Sequence, residues 1–322
     1  MSNTNVVSFS PHIHDKTTTS RIMLDVIIAL CPAFVAAVWI FGTRAAIVTF
    51  VCVAACVVSE WAFQKITKRP NTINDFSAVI TGMILAFNLP VTIPLWQAVF
   101  GSAFAIVIVK QLYGGIGKNF VNPALTARIV MFLAFATPMT TWVAIPLVDV
   151  ATAATPLAAP VDVITAATPL ALISSGRIEY LPSMMDMFIG MRGGSLGETS
   201  NIALLIGGLY LLFRRVITWH TPVTFIGTVV LMTAALGQEP MYQLFAGGLF
   251  LGAIFMATDY PTSPQTSKGR IVFGIGCGLL TALIRVYGGF PEGVSFAILF
   301  MSMLVPYINK VTQSKALGGK KE

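Results

Sequence analysis

Long apolar runs separated by short polar turns fill most of the chain, near Ile22 to Gly42, Ala45 to Phe63, Phe76 to Leu89, Trp96 to Leu112, Pro123 to Phe135, Ile202 to Phe213, Val223 to Leu236, Tyr242 to Thr258, Ile271 to Val286 and Val294 to Ile308. Some approach the ~20 residues that cross a bilayer as a helix, and others are shorter. The pattern predicts an all-α polytopic membrane protein with about ten transmembrane helices. Only the stretch 137–200 lacks such a run. Gly and Pro bracket the shorter runs, as in Asn88-Leu-Pro90, Asn122-Pro123 and Tyr260-Pro261. Inside a membrane such breaks are tolerated only where the backbone faces protein or a cavity, so they are candidate walls of a site.

Two local matches recur. Gly82-Met-Ile-Leu-Ala-Phe-Asn-Leu-Pro-Val-Thr92-Ile-Pro94 aligns with Gly252-Ala-Ile-Phe-Met-Ala-Thr-Asp-Tyr-Pro-Thr262-Ser-Pro264, and Tyr113-Gly-Gly115 aligns with Tyr287-Gly-Gly289. The chain therefore reads as two halves of about five spans each, and an odd number per half inserts the second half upside down. The expected organisation is a tail 1–21, a first membrane repeat 22–136, a loop 137–200, a second repeat 201–309 and a basic tail 310–322.

Composition agrees. With 56% hydrophobic and 10% charged residues and a mean hydropathy of +0.81, the chain falls far below the roughly 25% charge of soluble domains. The net charge of +7 reads as a topology signal with attraction to anionic lipid. With the N-terminus inside, Lys16, Arg21, Lys65, Lys68, Arg69, Lys110, Lys118, Arg214, Arg215, Lys268, Arg270 and the tail lysines collect on the cytoplasmic side,. Arg44, Arg177 and Arg192 fall in outside loops, Arg128 and Arg285 within or at the edge of spans, and the 137–200 loop lies outside. No basic and aromatic interleaving of the kind that reads nucleic acid is present, and a polar N-terminus without a small-residue cleavage site leads us to expect no cleavable signal peptide before the first span. Cys31, Cys52, Cys56 and Cys277 sit in apolar runs and read as buried small hydrophobes, and His12, His14 and His220 as non-ligating, so no metal site is expected,.

The outside loop carries Asp162-Val-Ile-Thr165-Ala-Ala-Thr168-Pro-Leu, a near copy of Asp149-Val-Ala-Thr-Ala-Ala-Thr155-Pro-Leu. Asp-x-x-Ser/Thr-x-Ala-Thr is the pattern at which an FMN transferase joins FMN to the last threonine as a phosphodiester. Thr168 would be the nucleophile, small Ala166 and Ala167 would let the transferase close over the backbone, and Asp162 offers a carboxylate at fixed distance. Thr155 meets the same spacing and is the alternative attachment point. A slipped low-complexity Ala/Thr loop is the competing explanation. Gly193-Gly-Ser-Leu-Gly197 lacks the Lys-Ser/Thr of a nucleotide-hydrolysing loop,. It reads either as a cradle for the FMN phosphate or ring, or as a hairpin folding the loop onto the membrane.

Further stretches carry a resemblance over nearly the whole chain: Ser10-Pro-His-Ile13, Thr81 to Pro90, Gly117-Lys-Asn-Phe-Val-Asn-Pro-Ala-Leu-Thr-Ala-Arg128, Asp162 to Leu170, Gly193 to Thr199, Tyr210 to Arg215, Ala257-Thr-Asp-Tyr260 and Arg285 to Phe296. In these the chain resembles the NqrB/RnfD family, and its short polar N-terminus is closer to the RnfD branch than to the NqrB branch of the sodium-pumping NADH:quinone oxidoreductase.

The resemblance implies a fold similar to urea and ammonium channels, a covalent FMN on the outer face and a noncovalent riboflavin deeper in the membrane. It implies an electron relay in an Rnf complex, with RnfA, RnfB, RnfC, RnfE and RnfG as partners, coupling transfer between ferredoxin and NAD to movement of Na+ or H+. No complete reaction would belong to this chain alone, and no catalytic residue is assigned. Polar residues within spans are functional suspects. Asn88, Asn119, Asn122, Arg128, Thr258 and Asp259 are the candidates for the second flavin, while an Asn before Pro can simply cap a broken helix and Arg128 can pair with a carboxylate or carbonyls. Asp25 and Asp259 are candidates for an ion path. A redox-inactive channel or an assembly scaffold is the competing class.

Overall fold

The computed structural model describes residues 18–143, 167–175, 177–288 and 293–313. All regular elements among them are helices. The long ones are α1 (Thr19–Phe41), α2 (Thr43–Ile66), α13 (Ser267–Tyr287) and α14 (Val294–Thr312), four helices long and apolar enough to cross a membrane. Shorter apolar helices are α3 (Ser77–Phe87), α4 (Leu95–Ala103, widening to a π-helix over Phe104–Gln111), α5 (Pro123–Ala134), α9 (Asn201–Phe213) and α10 (His220–Ala235). Between them lie the short α6 (Ala136–Thr140), α7 (Pro169–Ser174), α8 (Met184–Ile189), α11 (Pro240–Phe245) and α12 (Leu249–Leu251, continuing as a π-helix over Gly252–Met256).

Helix starts follow the local chemistry. Thr18, Asn122, Thr168, Ser183, Ser200 and Thr266 each cap the helix that follows with a side-chain oxygen, satisfying N–H groups that have no partner within the helix. Outward faces carry large apolar side chains such as Trp39, Phe50 and Phe213, which is stable only against lipid or another apolar surface. Helix α1 packs on α9 and α5 on α14, while α2 packs on α3 and α4, and α10 on α13. The α1–α9 contact depends on Gly207: a Cβ there would come 2.1 Å from the Ala29 carbonyl oxygen, so only glycine lets the backbones close,.

The sequence reading is corrected at two places. The run Tyr242 to Thr258 is not one helix but α11 and α12, interrupted at Ala246–Gly248. Lys110 and Arg192, which sequence counts only by side of the membrane, are both buried, at 3% and 4% exposure. Cys31 is exposed on α1 rather than buried.

The segment between α8 and α9 reaches both the end of α3 and the interruption at Ala246–Gly248. The amides of Leu196 and Gly197 donate to the carbonyls of Leu89 (3.1 Å) and Phe87 (2.9 Å) at the end of α3. Asn201 Nδ2 donates to Phe245 O (3.1 Å) and Arg192 Nη2 to Gly247 O (3.4 Å). From α13, Arg285 donates to Gln243 O (2.6 Å) and Ala246 O (3.0 Å). Carbonyls at these helix ends, which have no partner within their own helices, are thus paired by one glycine-rich loop and three polar side chains.

Candidate functional site

Thr168 is the N-cap of α7, its Oγ1 accepting from Ala171 N at 3.3 Å. Pro169 at the first helical position fixes the entry,, and Leu170 anchors α7 in a small cluster with Met187 and Ala246. The Thr168 side chain is nearly buried, at 6% exposure. It lines a recess of about 250 Å³ with Arg192, Gly193, Gly194, Glu198, Thr199 and Gly247. The glycine segment and the threonine of the Asp162–Thr168 pattern therefore form one wall. Asp162, Thr165 and Thr155 lie outside the described residues.

Charge gathers behind this recess. Arg128 Nη2 pairs with Glu198 Oε1 at 3.4 Å, and Arg128 Nη1 also donates to Ser295 Oγ, tying α5 to the loop and to α14. Glu198 lies against the helix interruption: a Cβ at Gly248 would come 2.4 Å from its Oε1. Arg128 therefore belongs to the Thr168 region and takes a carboxylate partner. Asn88 ends α3 fully buried, its Nδ2 donating to Ile84 O at 2.7 Å, the capping role open to it from sequence. Its Oδ1 has no hydrogen-bond partner among the described residues.

The other four candidates meet elsewhere. Asn119, Asn122, Thr258 and Asp259 line one central cleft enclosing about 820 Å³, part of it open. Ile22, Met23 and Val26 of α1, Ile80 and Ile84 of α3, and Phe255 give it apolar walls, and Ser77 and Lys110 add polar groups. Asn122 Oδ1 caps α5 through Ala124 N (3.0 Å) and Leu125 N (3.3 Å), which leaves its amide N–H groups out of the capping bonds. Asn119 Nδ2 donates to Val121 O at 3.0 Å. Thr258 Oγ1 donates back to Ile254 O at 2.5 Å, and Asp259 Oδ2 accepts from Thr262 Oγ1 at 3.2 Å. Apolar walls with a few polar groups among them are the kind of lining that suits a planar heteroaromatic ring with a polar edge.

Sequence reasoning missed the polar cluster beside this cleft. Glu60 on α2 is fully buried and accepts from Lys110 Nζ at 3.1 Å, Gln111 Nε2 at 2.6 Å and Gln64 Nε2 at 3.3 Å. Lys110 also donates to Ser77 Oγ at 2.6 Å. Both charged residues stand inside apolar runs, which was the available signal. Asp25, a candidate for an ion path, is engaged by Tyr210 OH at 3.0 Å and Arg214 at 3.1 Å, joining α1 to α9.

Residues 6–318 match the model of the NQR2, RnfD, RnfE family. The chain is 46% identical over 314 residues to a subunit of the Na(+)-translocating ferredoxin:NAD(+) oxidoreductase complex of Acetobacterium woodii, covering 97% of this chain and 95% of the relative. It is 40% identical over 324 residues to the corresponding subunit of the proton-translocating ferredoxin:NAD(+) oxidoreductase complex of Clostridium ljungdahlii, covering 98% and 96%. The counterpart in the ion-translocating oxidoreductase complex of Stutzerimonas stutzeri is 40% identical over 334 residues, covering 94% and 93%. By the length, order and identity of these matches, the chain belongs to the NQR2, RnfD, RnfE family of membrane proteins.

Proposed function

We propose that this chain is the flavin-carrying membrane subunit of an ion-translocating ferredoxin:NAD+ oxidoreductase complex, relaying electrons between subunits that handle ferredoxin and those that handle NAD. The names of its relatives support the complex. The observation that carries the flavin is the position of Thr168: the last residue of the Asp162–Thr168 pattern lines a recess with Gly193, Gly194 and Arg192. The partners are the other Rnf subunits, RnfA, RnfB, RnfC, RnfE and RnfG, and an FMN transferase for maturation.

In attachment, Thr168 Oγ bonds to the FMN phosphorus of FAD, the bond between the two phosphates breaks, AMP leaves, and the hydroxyl proton passes to a base of the transferase. Capping engages Oγ1 only as an acceptor, so the same orientation keeps a lone pair on α7 and leaves the O–H to be taken. A flavin, when bound, supplies one- and two-electron transfer. The chain's own task is to hold distance, since a tethered group cannot be lost by dissociation. The central cleft takes a second, noncovalent riboflavin: Ile80, Ile84 and Phe255 would cover the ring, and Asn122 and Asn119 would orient its pyrimidine edge.

The membrane architecture follows the same reading. Two five-helix halves form an inverted repeat of about ten spans, supported by the α1–α9 and α5–α14 pairings and by a broken helix in each half. Both termini lie in the cytoplasm and the 137–200 loop lies outside.

The test is in-gel ultraviolet fluorescence of the denatured chain, co-expressed with an FMN transferase, for wild type, Thr168→Ala and Thr155→Ala. A band lost only in Thr168→Ala supports attachment there, and loss only in Thr155→Ala moves it to the first copy. No band in the wild type, with the transferase active on a control substrate, leaves a redox-inactive channel as the better reading.

A further inference from the structure

Resting on attachment at Thr168, we propose that Arg192 and the Gly193-Gly194 backbone seat the phosphodiester itself, at the recess that Thr168 shares with them.

Three observations point to the phosphate. Arg192 is 4% exposed and lines the recess beside Thr168. Its Nη2 is fixed by the carbonyls of Glu198 (2.8 Å) and Gly247 (3.4 Å), so its planar fork is oriented before any ligand arrives, as phosphate recognition favours. Glu198 shares the recess and would repel an anion, but Arg128 holds its carboxylate at 3.4 Å and offsets that charge. Finally, packing does not demand glycine at Gly194: a Cβ there would meet only Thr199 Cγ2, at an ordinary 3.8 Å. This differs from Gly197 and Gly190, where a Cβ would strike Phe87 at 2.3 Å and the Thr199 backbone at 2.7 Å. A hairpin that merely folds the loop onto the membrane accounts for Gly190 and Gly197. Close approach of backbone to a bound group accounts for Gly194 as well.

Arg192 also closes a helix interruption, so loss of stability alone cannot test its contact with phosphate. The test compares melting temperatures of the full chain in detergent with and without attached flavin, for wild type, Arg192→Gln and Arg192→Lys. Attachment is expected to raise the wild-type value by about 2 °C or more, to raise Arg192→Lys by less, and to leave Arg192→Gln unmoved. A purely structural Arg192 lowers both forms equally and leaves the increment intact. An equal increment in all three chains overturns the proposal, as does no increment in the wild type. If Arg192→Gln resists labelling and Arg192→Lys accepts it, the positive charge is what receives the phosphate, in support. If neither accepts it, Arg192 serves only the folding of the loop and the proposal fails. A wild-type chain left unlabelled by an active transferase overturns the attachment reading instead.

Discussion

Lys110 Nζ stands 3.1 Å from both carboxylate oxygens of Glu60, joining the π-helical end of α4 to α2 where neither group reaches solvent. A buried ion pair is weak evidence for net stability, but removing one member strands the other at a cost of about 3 to 5 kcal/mol. Lys110→Met and Glu60→Gln are each expected to lower the melting temperature sharply. The double variant should lose much less than the two together, because neither charge is then stranded. Thermal unfolding of all four chains in detergent checks this, and additive losses would mean that the pair is not coupled.

The Gly193–Gly197 segment makes a steric prediction independent of any flavin. A Cβ at Gly197 would lie 2.3 Å from Phe87 Cβ and Cγ, and Phe87 is among the fully buried side chains at the end of α3. Gly197→Ala should cost about 1 to 3 kcal/mol as overpacking and pull Leu196 and Gly197 away from the α3 carbonyls they satisfy. Gly194→Ala, whose Cβ would meet only an ordinary contact with Thr199 Cγ2 at 3.8 Å, should leave the melting temperature of the flavin-free chain nearly unchanged. Equal losses in the two would show that the loop does not pack on α3 in this way.

Asn122 separates capping from ligand binding. Its Oδ1 caps α5, a role Ser fills nearly as well, whereas Ala gives up about 0.5 to 2 kcal/mol. Asn122→Ser should therefore keep the fold while removing the amide donors of a residue that lines the central cleft. The expected result is a normal melting temperature with reduced noncovalent flavin, measured as flavin released on acid precipitation. Unchanged flavin in Asn122→Ser would remove Asn122 from the second site.

These residues also mark how far the sequence could be read. The all-helical character followed from the apolar runs because that signal is local. Asn119, Asn122, Thr258 and Asp259 could be picked singly as polar residues at helix breaks, and their meeting in one cleft became visible only with the two halves packed together. The burial of Arg192 and Lys110 went unread for the same reason. Charge counting assigns Lys and Arg a side of the membrane but no partner, whereas Lys110 finds Glu60 fifty positions away and Arg192 finds Gly247 fifty-five away. Glu60 went unread although it interrupts an apolar run, because its charged partner Lys110 stands fifty positions away in sequence. The break at Ala246–Gly248 was hidden because Ala and Gly there continue the apolar character of the run.

Asp25 gives the contrasting electrostatic case. Its partner Arg214 has a side chain 36% exposed, so solvent screens the pair and its contribution to stability is small. Tyr210 supplies a second bond at 3.0 Å, and an amide at position 25 could still accept it. Asp25→Asn is therefore expected to leave the melting temperature nearly unchanged, unlike Glu60→Gln. If Asp25 lies on an ion path, the assembled complex carrying Asp25→Asn should lose ion uptake into reconstituted vesicles while still binding flavin. A large drop in melting temperature would instead make Asp25 a fastener between α1 and α9. Normal uptake with normal stability would leave it neither role.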